Sequence, residues 1–135
     1  MSKIKSYLKI ARFDHWIKQL FILPGAWLAY VMSPADARLP LIYLVIGLIA
    51  TSFAASANYV INEWLDAEFD KYHPIKKNRP SVTNGLTAKT VYIEYTLLLL
   101  FSLFLACIIN RPVFITVIVL LVMGILYNVK PIRTK

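Results

Sequence analysis

From Leu39 to Asn62 the chain carries no charged side chain. A run of that length can cross a hydrocarbon core of about 30 Å, which takes roughly 20 helical residues. Lipid offers no hydrogen-bond partners, so the backbone must satisfy its own amides and carbonyls, and a single spanning segment does so as an α-helix. Composition agrees with that constraint. Hydrophobic residues make up 59% and charged residues 16%, against about 25% charged in soluble domains. Mean hydropathy is +0.61. Three further runs, at 17–34, 90–109 and 112–129, are also apolar enough to span, the third of the four holding one acid, Glu94. The expected fold is all-α: a polytopic membrane bundle with four transmembrane helices at 17–34, 39–62, 90–109 and 112–129, and a motif-bearing loop over 63–89.

Basic residues set the orientation. Of the fifteen, only Arg38 and Arg111 fall in the two short connections on one side. The other thirteen precede or open the first span, lie between the second and third, or follow the fourth. The positive-inside rule then puts both ends and the long loop in the cytoplasm, most simply of a bacterial inner membrane. The net charge of +8 is accounted for by topology and attraction to anionic headgroups, and needs no nucleic acid. Residues 1–15, with Ile4, Tyr7, Leu8 and Phe13 among lysines, read as an interfacial segment. A basic start before Ala35-Asp36-Ala37 superficially resembles a cleaved leader, but Asp14 and the anchoring aromatics Trp16 and Trp27 favour a retained span. Cys107, alone, excludes an intrachain disulfide and any multi-cysteine metal site.

Four of the seven acids fall between residues 63 and 70. At about 100° per residue, Asn62, Asp66 and Asp70 lie at roughly 0°, 40° and 80°, and Glu63 at about 100°. Asn58 extends the stripe one turn deeper, while Glu68, at about 240°, points away. Clustered carboxylates beside lipid repel one another and need a partner. A divalent cation is the economical one, since Mg²⁺ accepts one or two carboxylates and completes its shell with water and phosphate oxygens. Lys76, Lys77 and Arg79 follow closely and could grip a diphosphate.

Asn62-Glu63-x-x-Asp66-x-x-x-Asp70 resembles the first aspartate-rich motif of the UbiA superfamily of membrane prenyltransferases. The continuation, Lys71-Tyr72-His73-Pro74-Ile75-Lys76-Lys77-Asn78-Arg79-Pro80 and Asn84-Gly85, is similar to that of one branch, which includes phosphoribosyltransferases acting on decaprenyl phosphate. His15-Trp16-x-Lys18 also resembles that branch, and Tyr127-Asn128-Val129-Lys130 sits where the family often has a tyrosine and a lysine facing the diphosphate. The resemblance implies a helical bundle around a lipid-accessible cavity and a Mg²⁺-dependent transfer of a prenyl or phosphoribosyl group with release of diphosphate. Asp66 and Asp70 would be catalytic and, with Asn62, would hold Mg²⁺. Lys76, Arg79, Lys130, Tyr127 and His73 would contact the diphosphate. An isoprenoid lipid substrate and a diphosphate donor are the implied partners, with the bilayer around them.

Two departures from the family pattern stand out. Glu63 replaces the usual aspartate, and the chain has no second aspartate-rich motif. The expectation is therefore the N-terminal part of such an enzyme, inactive without a C-terminal half. Competing readings are a four-span proton-coupled transporter using Glu94, and a non-catalytic membrane subunit. Glu94 itself is expected to face headgroup water, and His15 and His73 to be interfacial hydrogen-bonders unless the motif context makes His73 a ligand.

Overall fold

The computed structural model describes residues 3–35 and 38–128, and is helical throughout its ordered elements. Helix α1 covers Lys3–Ile10 and is followed by a 3₁₀ segment, Phe13–Ile22. Helices α2 (Leu23–Met32), α3 (Leu41–Asp70), the single turn α4 (Pro80–Thr83), α5 (Ala88–Ile109) and α6 (Arg111–Asn128) complete the order.

Three of these, α3, α5 and α6, are long and apolar enough to cross a membrane, among the described residues. The expected first span over 17–34 is not a fourth long α-helix but a 3₁₀ segment running directly into a short α-helix, and Pro24 marks the change. A proline inside an α-helix lacks the amide donor, and its ring meets the carbonyl four residues back. The α-helix therefore begins only at Leu23, with Pro24 in its first turn where no donor is needed, and the residues before it wind as a tighter 3₁₀ helix. The 10 residues of α2 reach about 15 Å, too little for the core alone. The path nonetheless runs antiparallel to α3. Trp16 Nε1 donates to Ser56 Oγ at 2.9 Å, the Trp16 and Phe53 rings meet at 4.9 Å, and Trp27 and Tyr30 share a cavity with Leu44 and Gly47 near the start of α3.

Small side chains hold the long helices together. Ala50, Ala54 and Ala57 of α3 are fully buried, which lets the α5 backbone approach closely, as small-residue stripes do in lipid. Ser102 of α5 donates to the Ala50 carbonyl at 2.7 Å, fixing an antiparallel pair. Asn110 Oδ1 accepts the Val113 amide at 2.9 Å and so caps the start of α6. Helix α6 then runs parallel to α3, where Asn58 Nδ2 donates to the Leu120 carbonyl at 3.3 Å. A Cβ on Gly124 would overlap the Asn58 amide, so the glycine is what admits that side chain. Asn58 is thus a fastener between α3 and α6.

Helix α3 is also longer than its apolar run. Its 30 residues extend roughly 45 Å against a core of about 30 Å, so one end must project into the headgroup layer. The polar end does, and residues 63–70, expected in the loop, are its last two turns. Helices α1 and α4 pack against this end.

Candidate active site

The last turns of α3 bury three carboxylates. Asp66 is 2% exposed, Asp70 4% and Glu63 7%, unusual values for acids and tolerable only when they are engaged by other polar groups. Arg79 Nη1 donates to Asp70 Oδ2 at 2.7 Å, and Lys76 Nζ lies 3.9 Å from Oδ1. Ser81 donates to Glu63 Oε1 at 3.3 Å. Glu68 faces solvent and pairs with Lys71 at 2.8 Å, as its helical angle requires.

The segment after α3 is folded so that its cations return to these acids. His73 Nδ1 accepts the amides of Ile75 and Lys76, both at 3.2 Å, closing a turn that carries Lys76 back toward Asp70. Pro80 then opens α4 with its fixed φ, and the residues before it place Arg79 over the end of α3. Gly85 takes a left-handed φ of 57°, which a glycine adopts without steric cost. The turn is clamped to α1, since Asn84 Nδ2 donates to Ser6 Oγ at 2.9 Å and the Thr87 amide to Tyr7 Oη at 3.2 Å.

A cleft of about 330 Å³ results, lined by Lys9, Arg12, Asp14, Glu63, Lys76 and Arg79 together with loop residues. Four cations face two acids across it. Arg12 is held firmly: its backbone is left-handed (φ 52°, ψ 46°), its guanidinium lies 5.1 Å from the centre of the Tyr59 ring, and Nη2 is 3.2 Å from His15 Nε2. A left-handed non-glycine residue is uncommon and strained, and such strain concentrates at functional sites. Lys9 and Arg12 escaped sequence reasoning, which counted them only as topological charge. They lie some fifty residues from the motif and no spacing rule connects them to it.

The expected site residues are therefore only partly brought together. Asp66, Asp70, Lys76 and Arg79 share one end of the bundle, and Asn62, half-buried, sits one turn deeper on the same stripe. His73 shapes the turn and does not line the cleft. Tyr127, at the last turn of α6, is 65% exposed and makes no described contact with the cleft. Lys130 lies outside the described residues. Glu94 was expected in headgroup water. Its Oε2 is instead enclosed, without a hydrogen-bond partner among the described residues, because α5 starts at Ala88 and carries residue 94 into the packed bundle.

Buried aspartates one turn apart with an amide below them form a hard oxygen donor set suited to Mg²⁺, which needs only one or two carboxylates from protein. No group of three or more His, Cys, Asp or Glu side chains converges as a complete cage among the described residues, so a cation here would draw the rest of its shell from elsewhere.

The model of the UbiA prenyltransferase family matches residues 20–135. The chain belongs to the UbiA prenyltransferase family. Among curated relatives, the 4-hydroxybenzoate octaprenyltransferase of Actinobacillus pleuropneumoniae serotype 5b (strain L20) is 29% identical over 127 residues, 93% of this chain and 43% of the relative. That of Photobacterium profundum is 28% identical over 128 residues, 94% of this chain and 44% of its own. That of Azoarcus sp. (strain BH72) is 33% identical over 88 residues, 64% and 30% respectively. The chain spans less than half the length of these relatives. UbiA membership and three apolar helices make it an integral membrane protein.

Proposed function

We propose that this chain supplies the N-terminal part of a Mg²⁺-dependent UbiA-type transferase that moves a prenyl group from an isoprenoid diphosphate to an acceptor. The observation that carries the reading is the cleft itself, where Lys9, Arg12, Lys76 and Arg79 gather with Glu63, while Lys76 and Arg79 also reach the buried Asp70, one turn beyond Asp66. Acids for a cation next to bases for phosphates suit a diphosphate leaving group, whose developing charge is stabilised by preorganised cations. Asn62, Asp66 and Asp70 would hold Mg²⁺, which neutralises phosphate charge as a Lewis acid when bound. Arg79 offers paired donors to phosphate oxygens, Lys76 and Lys9 act as point charges, and Arg12 is held rigid by His15 and Tyr59. Tyr127, Lys130 and His73 remain in the proposal as outer contributors, His73 by fixing the turn that carries Lys76.

The names of the relatives favour prenyl transfer to an aromatic acid, 4-hydroxybenzoate. The loop His73-Pro74-x-Lys76-x-x-Arg79-Pro80 favours a second donor, phosphoribosyl diphosphate with a polyprenyl phosphate acceptor. The positive-inside pattern supports a cytoplasmic position for the cleft and for both ends of the chain.

Calorimetric titration of the chain in lipid nanodiscs tests the reading. Geranyl diphosphate should bind with Mg²⁺ and not with EDTA, and Arg79→Ala should weaken it about tenfold, the worth of one charged hydrogen bond. Phosphoribosyl diphosphate in the same discs separates the two donors. Binding of neither compound in the presence of Mg²⁺ would defeat both.

A further inference from the structure

Helix α1 has three distinct faces. Ser6 and Ile10, with Ala11 just past the helix end, are fully buried, and α1 packs against α4 and the projecting end of α3. Ile4 and Leu8, one turn apart on another edge, are 73% and 53% exposed. Lys5, one residue on from Ile4, is exposed on the edge between. An eight-residue helix already packed by one face does not need two exposed aliphatics for its own stability. Its position also fixes what lies nearby. The spanning part of α3 uses roughly 20 residues, so the end to which α1 is clamped sits at the level of lipid headgroups.

We propose that α1 is a lipid-docking element that seats the cleft on an anionic bilayer surface. Ile4 and Leu8 enter the boundary between headgroups and acyl chains, as the apolar face of an interfacial helix does. Lys5 reaches the headgroup phosphates, its aliphatic stem lying along the apolar edge. Charge complementarity selects the occupant, since a lysine beside the aliphatic pair in a chain of net charge +8 suits a negatively charged lipid layer better than a neutral one. Docking is transmitted to the site because the opposite side of α1 holds the motif turn through Ser6–Asn84 and Tyr7–Thr87. The inference does not depend on which diphosphate the cleft takes.

Nitroxide labels at Ile4→Cys, Leu8→Cys and Lys5→Cys, each with Cys107→Ser, report the seating by electron paramagnetic resonance. In nanodiscs containing phosphatidylglycerol, labels at 4 and 8 should be accessible to oxygen and shielded from a water-soluble nickel chelate, and the label at 5 should show the reverse. In pure phosphatidylcholine discs the contrast should fall. Nickel access at 4 and 8 in both lipids overturns the proposal. So does shielding from both reagents, which marks a protein cover, or identical seating in the two lipids. The unsubstituted chain gives a second reading by hydrogen exchange. Amides of α1 should exchange about fivefold more slowly in the anionic discs, the factor that one lysine's attraction to such a surface represents. Equal rates overturn the proposal whatever the labelled variants do.

Discussion

The two ends of α3 make different cavities from the same helix. Near its start, Ile22, Trp27, Leu44, Gly47, Ile109 and Val117 line an apolar hollow of about 450 Å³, with Arg38 at its edge. Near its finish lies the smaller cleft of about 330 Å³, lined by four cations and two acids. The larger one has the volume but few groups to orient a ligand. The smaller one has charges fixed by hydrogen bonds, and those make a site selective. Size alone points to the end away from the acidic stripe.

The comparison breaks first at Asp66. Asp66→Asn should reduce Mg²⁺-dependent binding of geranyl diphosphate roughly 100-fold or more, since it removes a charge from the donor set. Unchanged affinity on calorimetry would mean that the aspartate stripe does not hold the cation. Next in size is a change between the two ends. Gly124→Ala should lower stability by about 1–3 kcal/mol, the usual cost of overpacking, because the new methyl meets Asn58. Thermal unfolding in detergent measures it, and the variant Asn58→Ala/Gly124→Ala should recover part of the loss. Arg12→Ala should weaken diphosphate binding about tenfold, with Arg12→Lys intermediate because a lysine cannot reproduce the guanidinium fork. The smallest effect sharpens the contrast. Trp27→Leu, in the apolar hollow, should leave diphosphate affinity within about twofold, in keeping with the near-neutrality of substitutions remote from a site.

Much of this was legible before folding, and the exceptions have physical causes. Apolar length announced α3, α5 and α6, because lipid leaves a backbone no alternative to the helix. The same argument overreached at 17–34, where hydropathy counts residues but does not register that the path changes from 3₁₀ to α-helix beside Pro24. Helical angle placed Asp66 and Asp70 together and turned Glu68 away, since four-residue spacing is local geometry. It also recruited Asn58 to the stripe, whereas the approach of Gly124 sixty-six residues later gives that amide a packing role. His73 shows the same limit. A motif names the residue, but only the turn shows its ring nitrogen accepting two backbone amides.

The sequence by itself determined the membrane-spanning character, the acidic stripe and the family motif, all features in which residues a few positions apart constrain one another. Only tertiary structure decided that Lys9 and Arg12 face Glu63 and Arg79 across one cleft, and that α1 clamps the loop forming it. Those pairings join segments separated by fifty to eighty residues. No local periodicity encodes them; they exist because the projecting end of α3 gives both segments a common surface to pack upon.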